Sequence, residues 1–419
     1  MTEAGGTIEV DHNRRYLEAI RFGCVRLLEL SSAIMVRTAS TERKLELSHQ
    51  IWALAQAAEL IGNRLVGLRS TVDASAATAE YVAFTDAVCS LQNPEMEYTA
   101  LCHLAYPDLR DAVLAHHGRV PFKADELTVS CLTGVLELLD AVPTGGVAGA
   151  PCIGALADLL ADAGGVTGRI PEGLPERVVA LPAIPIRPGR ESTLRERSKG
   201  EGVSDGSRGS LLHDSVFRIE LCAAEICAAM IAHHPDAPWG LRFDLAKQVR
   251  DEARHFELFA ERMHELGVSE GDYPLAFDVW DKFVLGRTLP ERLMIEQRLG
   301  EGTGLDGAVK VLRSLREEGD LKTMLIYDYI IADELTHVGN GNKWLRELTV
   351  SPERLSELDR DVRELLAAHG MRVKHNHPVN VTERAMSGFT EQEIEELQRI
   401  WEQERALAQS QLAGTPTSE

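Results

Sequence analysis

Asp251-Glu252-Ala253-Arg254-His255 and Asp333-Glu334-Leu335-Thr336-His337 are two copies of one pattern, Asp-Glu-x-x-His, set 82 residues apart. Both lie in stretches with helical spacing of apolar residues. Positions three apart share a helix face, so Glu252 and His255 can reach one metal ion together, as can Glu334 and His337. Paired Glu-x-x-His units, each joined by a further Glu from a neighbouring helix, are the ligand set of a carboxylate-bridged dimetal four-helix bundle. Carboxylates offset the charge of the ions and can bridge them, and neutral imidazole completes each set of donors.

Spacing alone is cheap, and the chain contains its own control. Glu261-Arg262-Met263-His264 has the same spacing. It starts nine residues after Glu252, about half a turn around the helix, so it points away from whatever Glu252 faces and reads as a solvated face. The helix before 239–266 offers Glu220 and Glu225. They are five residues apart, about 140° around a regular helix, so one point cannot take both. Glu220 shares its face with Ala223, Ala224 and Cys227, which leave room for an ion, and is chosen. The helix before Glu334 offers Glu291 and Glu296. Glu291 follows Pro290 in a first helical turn, where the helix dipole explains an acid. Glu296 sits in the apolar run Leu293-Met294-Ile295-Glu296-Gln297-Arg298-Leu299, where a lone carboxylate would be costly, and is chosen. The expected metal ligands are therefore Glu220, Glu252, His255, Glu296, Glu334 and His337. Glu220 precedes Glu252 by 32 residues and Glu296 precedes Glu334 by 38, so the two halves match. A metal-bound His commonly donates its other N–H to a carboxylate. Asp251 and Asp333 are candidates for that role, each toward a His of the opposite pair.

The 419 residues suffice for more than one core. Hydrophobic residues make up 44%, which fits a globular chain rather than a disordered one. The formal net charge of -21 repels phosphate backbones and argues against a nucleic-acid partner. No run of 18 uncharged apolar residues occurs, and the N-terminus carries early acids without an apolar stretch. Neither a membrane span nor a secretory signal is expected. The seven cysteines are odd in number and include no Cys-x-x-Cys pair, which reads as reduced thiols in a cytoplasmic protein.

The segments divide as follows. Residues 1–165 read as an N-terminal helical domain that becomes rich in Gly, Ala and Pro from 143. Residues 166–210 read as an extended linker punctuated by Pro and Gly. Residues 211–349 read as the bundle, with helices near 211–233, 239–266, 274–299 and 306–348. Pro290 should kink or restart the third helix, and Gly267 and the GEGTG run at 300–304 should act as stops. Residues 350–419 read as a C-terminal helical extension whose last ten residues fray.

From Leu181 onward the chain resembles a bacterial family of ferritin-like proteins known mainly as a domain of unknown function. The resemblance rests on LPAIPIRPGR, LLHDSVFRIELCAAEI, RDEARHFELFAERMHELG, EGDYPLAFDVWD, ADELTHVGNGNKWLREL and HPVNVTERAMSGFTEQEIEEL, which cover most of 181–399. It implies an all-α ferritin-like four-helix bundle and places that family's acids on Glu220 and Glu296. Two departures stand beside the site. Arg218 occupies a position where relatives usually carry His. The stretch LGEGT interrupts a run that in relatives passes from the third-helix Glu through Arg-Gly-Leu-Asp.

Fold alone gives no reaction. The expectation is a non-haem dimetal oxidase or oxygenase that uses two iron ions, with manganese or a mixed pair as alternatives, and dioxygen as co-substrate. It would oxidise a small-molecule substrate, with an external electron donor and a second copy of the chain as further partners. The competing expectation is a metal-binding or scaffold protein without turnover. Phe217, Phe256, Met324 and Tyr327 are candidate pocket residues, and Tyr327, seven residues before Glu334 on nearly the same face, is the tentative redox residue.

Overall fold

The computed structural model describes residues 8–142, 152–169, 173, 175, 179–373 and 375–413. Residues 143–151, most of 170–178 and the last six residues lie outside the described residues. They include part of the Gly/Ala/Pro-rich segment, the start of the expected linker and most of the expected frayed end. Among the described residues every regular element is helical, and the extended pairing is limited to an isolated bridge between Glu196 and Leu275. No described helix is long and apolar enough to cross a membrane.

Packing divides the chain into two compact units that do not follow chain order. One comprises residues 1–193 with 227–253, the other 194–226 with 254–419. The first contains α1 (Val10–Arg37), α2 (Thr41–Val66), α3 (Ala79–Cys89), α4 (Pro94–Ala100), a π-helical turn π1 (Leu101–Ala105), α5 (Tyr106–His117), α6 (Glu126–Asp140) and α7 (Cys152–Ala163). The long pair α1 and α2 pack against each other, and α6 lies against α2. Ser40 starts α2 by accepting from the Arg43 N–H at 3.3 Å. Charges are buried here in balanced sets. Arg26 bonds Glu29 at 3.1 Å and Asp86 at 3.0 Å, and Arg242 donates to the other Glu29 oxygen at 2.9 Å. A buried charge is tolerated only when partnered in this way.

The remaining helices are α8 (Arg208–Asp214), π2 (Ser215–Glu220), α9 (Leu221–His233), α10 (Trp239–Glu265), α11 (Asp278–Phe283), α12 (Leu289–Leu293), π3 (Met294–Gly300), α13 (Glu301–Glu318), α14 (Leu321–Thr349), α15 (Pro352–Ala368), α16 (Val381–Met386) and α17 (Glu391–Ala413). The division between the units falls inside α9 and inside α10, and both helices run through it unbroken. Within the second unit, Arg262 of α10 donates to Asp320 at 3.0 Å and to Thr323 at 2.9 Å, tying α10 to the start of α14. Phe217 of π2 meets Phe256 of α10 edge-on with centroids 5.7 Å apart.

The third and fourth expected helices need correction. Pro290 does restart the chain as a helix: Thr288 and Glu291 form a capping box around it. The GEGTG run does not stop that helix. Residues 289–318 run continuously through α12, π3 and α13, and the break comes at Gly319, in the left-handed conformation at φ 78°. Asp320 then caps α14 by accepting from Thr323 N–H. Glycine inside a helix costs up to about 1 kcal/mol relative to Ala, which is why the run reads as a stop. Tertiary packing overrides that preference. A Cβ on Gly302 would lie 2.3 Å from the Arg384 guanidinium, so the residue must stay small for Arg384 to pass.

A second close approach sets α14 against π3: a Cβ on Gly341 would fall 2.3 Å from the Gln297 Cβ. The glycines therefore respond to substitution with opposite signs. Gly341→Ala should destabilise the protein by about 1–3 kcal/mol through overpacking. Gly304→Ala, with nothing within 4 Å of its Cβ position, should stabilise it by about 0.5–1 kcal/mol. Denaturant unfolding of both variants checks the pair, and equal midpoints would contradict the close packing of α14 on π3.

Candidate metal centre

Helix α10 carries Glu252 and His255 one turn apart, and α14 carries Glu334 and His337 in the same way. Glu220 is the last residue of π2, and Glu296 lies within π3. The hub of the arrangement is Glu334. One of its oxygens lies 3.4 Å from His255 Nδ1 and the other 3.3 Å from His337 Nδ1, so a single carboxylate spans two imidazoles. The two imidazole rings have centroids 6.0 Å apart. Glu220 approaches the same His255 nitrogen at 3.3 Å.

Two groups of side chains can each bring donor atoms within 4.8 Å of one another. One is Glu220, Glu252, His255 and Glu334; the other is Glu252, Glu301, Glu334 and His337. Glu252 and Glu334, the two acids of the repeated motif, belong to both groups. Glu220 and His255 belong to the first alone, and Glu301 and His337 to the second alone. Five of the six residues picked from the sequence are thus brought together, and Glu296 is in neither group.

Glu301, which the sequence reading did not pick, is a member of the second group. The reason is the π-turn. On a regular helix, positions five apart diverge by about 140°. In π3 the Glu301 N–H instead bonds to the Glu296 carbonyl, an i→i+5 link that stacks the two residues on one side. Glu296 is buried in this turn, with one carboxylate oxygen 3.7 Å from where a Cβ on Gly300 would lie. Glu301 lies within the LGEGT stretch that the sequence reading set aside as an interruption, and no spacing rule based on 3.6 residues per turn would have selected it.

The surroundings of the donors are asymmetric. His255, Glu252 and His337 are buried, and Glu220 nearly so, whereas the Glu334 side chain keeps 14% of its surface exposed. Burial works against a charge on Glu334. The neighbouring His337, the hydrogen bond from His255 and one shared with Glu301 nevertheless hold its carboxyl well below the usual range. His255 has its second nitrogen engaged: Nε2 lies 3.2 Å from Asp333, which Arg254 also contacts. Burial alone would raise the Asp333 carboxyl, but these two partners outweigh it and bring it down to about 2. Asp251 accepts from Lys247 on its own helix at 2.5 Å.

Among the other candidates, Tyr327 stacks at 4.7 Å on Phe259 and hydrogen-bonds Ser215; burial raises its hydroxyl pKa. Met324 is half-buried. Glu225 is fully buried but belongs to neither group, and Glu261 and His264 are exposed. Glu291 serves the capping box. Arg218, in π2, forks onto Asp214 one turn earlier at 2.7–2.9 Å. A cavity of about 440 Å³ lined by residues 196–202 with Phe277, Asp278 and Asp281 includes none of the donors.

Comparison with known proteins adds a lineage without adding a reaction. An uncharacterized protein of Haemophilus influenzae is 29% identical over 171 residues, which is 40% of this chain and 57% of that protein. The chain thus spans little more than half the length of that relative. No solved structure matches. Residues 161–395, more than half of the chain, match the model of the family described as "Protein of unknown function (DUF455)", and the chain belongs to that family.

Proposed function

We propose that 208–233, 239–265, 289–318 and 321–349 are the four helices of a ferritin-like bundle holding two metal ions, and that the protein is a non-haem dimetal oxidase or oxygenase. The observation that carries this reading is the sharing of Glu252 and Glu334 between two donor groups, with the two Glu334 oxygens facing different imidazoles. One ion would take Glu220 and His255 as its own donors, and the other Glu301 and His337.

Charge supports the same reading. Four carboxylates crowd into a mostly buried volume with two imidazoles. Like charges this close cannot all stay ionised without compensation, and two divalent cations would supply the four positive charges needed. Oxygen and imidazole donors suit iron, manganese or a mixed pair, and do not select among them. Ferrous ions bound there would supply the electrons that reduce dioxygen and the oxidising power directed at a small molecule.

The chain's own residues have separate tasks. Glu252 and Glu334 hold the two positions at a fixed spacing. His255 presents Nδ1 to the centre because Asp333 engages Nε2, which fixes the ring. Phe217, three residues before Glu220, and Phe256, next to His255, are buried and meet edge-on, and would keep the surroundings of those two donors apolar. Storage of iron fits less well, because helices α1 to α7 and α15 to α17 add far more than a cage subunit needs.

Metal content, stability and reaction with oxygen each test this. Protein from iron-supplemented cells should hold about two ions per chain, and Glu334→Ala should lose both, since it serves both positions. Metal analysis that finds no bound ions, with no saturable uptake in an anaerobic ferrous titration, would remove the metal centre. Each ion present at about a hundredfold excess over its dissociation constant should stabilise the fold by about 2.7 kcal/mol, read as a rise in melting temperature that a chelator reverses. Asp333→Asn should weaken metal binding about 10- to 100-fold by freeing the His255 ring. Oxygen admitted to the ferrous protein should produce a transient absorption and be consumed faster with the right small molecule. Absence of both would leave a metal-binding protein without turnover.

A further inference from the structure

The motif HPVNVTERAMSGFTEQEIEEL at 377–397 supplies no donor to either group, yet it closes over the two helices that carry one of them. Val379 packs beside a cluster in which Phe389, Ile394 and Leu397 meet Leu305 of α13 and Val338 of α14. Val338 is the residue after His337. Arg384 is fully buried and forks onto Asp306 of α13 at 2.7 and 3.1 Å, running past Gly302. Arg298, inside π3, donates to Asn342 of α14 and to Glu393 of α17, the latter at 2.7 Å. Glu393 also takes Arg346 of α14 at 2.8 Å, and the Asn342 amide donates to the Ser387 carbonyl at 2.8 Å. The guanidiniums of Arg298 and Arg384 sit over the Phe389 ring at 4.3 and 4.8 Å.

These contacts have a common target. A π-turn is a rare register that a helix does not keep without outside help. Reverting to the α-register would turn Glu301 by about 100° relative to Glu296. Arg298 anchors the turn from within, Asp306 anchors α13 just after it, and both anchors end on the 384–393 segment. We propose that the C-terminal segment is a brace that holds π3 in register, so that Arg298, Arg384 and Glu393 are positioning residues for the ion bound by Glu301 and His337. This rests on the dimetal reading. None of the four donors of the other ion, Glu220, Glu252, His255 and Glu334, lies on π3 or α13, so its affinity should not depend on the register of π3.

The test is an anaerobic ferrous titration of the full-length protein and two variants, with melting temperature and hydrogen exchange of 294–304 measured alongside. Glu393→Gln preserves the cap of α17, since Gln serves the third position of a capping box as Glu does, but removes the charge that holds Arg298 and Arg346. Arg384→Lys removes the fork on Asp306. The expected result is that one of the two ions binds about 10- to 100-fold more weakly, the other is unchanged, and exchange quickens across 294–304. Two ions bound with wild-type affinities, or both weakened alike, would overturn the brace and leave the dimetal centre standing. A wild-type protein that binds no iron would overturn both. Should Arg384→Lys fail to fold, Glu393→Gln decides, because its side chain is partly exposed and its loss leaves no cavity.

Discussion

Everything near the centre is arranged around one carboxylate that lies between two imidazoles. Glu334 can occupy that position only if α10 and α14 present His255 and His337 at nearly the same level. The level is fixed by contacts at both ends of the shared interface. Arg262 clamps α10 to the first turn of α14 through Asp320 and Thr323, and Arg254 reaches Asp333 one residue before Glu334. These pairs are half-exposed and individually weak as sources of stability. Their value is geometric: they set which turn of one helix faces which turn of the other. A slip of one turn would separate the donors by about 5.4 Å.

The parts legible in the sequence are those that depend on local periodicity. Glu-x-x-His puts two donors on one face whatever the rest of the chain does, so 252/255 and 334/337 could be read directly. The exclusion of 261/264 rested on the same 3.6-residue arithmetic, and those residues are exposed. Glu291 was set aside because it follows Pro290 in a first helical turn, where the helix dipole explains an acid, and the structure gives it to a capping box with Thr288. The all-helical character followed from apolar spacing in the same way.

What could not be read depends on distant contacts. Three π-turns occur among the described residues, and two of them contain an acid picked from the sequence, Glu220 at the end of π2 and Glu296 within π3. A π-turn has no composition of its own; it is what remains when packing on either side demands one residue more than an α-helix would use. That Glu301 joins the second group, unforeseen from the spacing, follows from that. So does the misreading of 300–304 as a stop, because the glycine that tolerates Arg384 looks, locally, like a helix terminator. The division of the chain was hidden for a related reason. Residues 227–253 pack with the first unit through partners such as Glu29 and Glu59, almost two hundred residues away in sequence.

The asymmetry of burial carries a consequence for how the centre meets its surroundings. Glu220, Glu252 and His255 are sealed, whereas Glu301 and Glu334 retain contact with solvent. On the dimetal reading, an ion or small molecule arriving from water would meet the α13–α14 side first. Those same helices carry the π-turn and the C-terminal segment, and they hold the acid that lies outside regular helical register. The sealed half takes Glu252 and His255 from α10 and Glu220, held against His255, from the end of π2. In the open half, π3 and α13 are tied to the 384–393 segment through Arg298, Arg384 and Glu393. On the dimetal reading, the second position would be the one sensitive to how firmly that segment is held. Such a division is what a centre needs if one ion is to stay in place while the coordination of its neighbour changes.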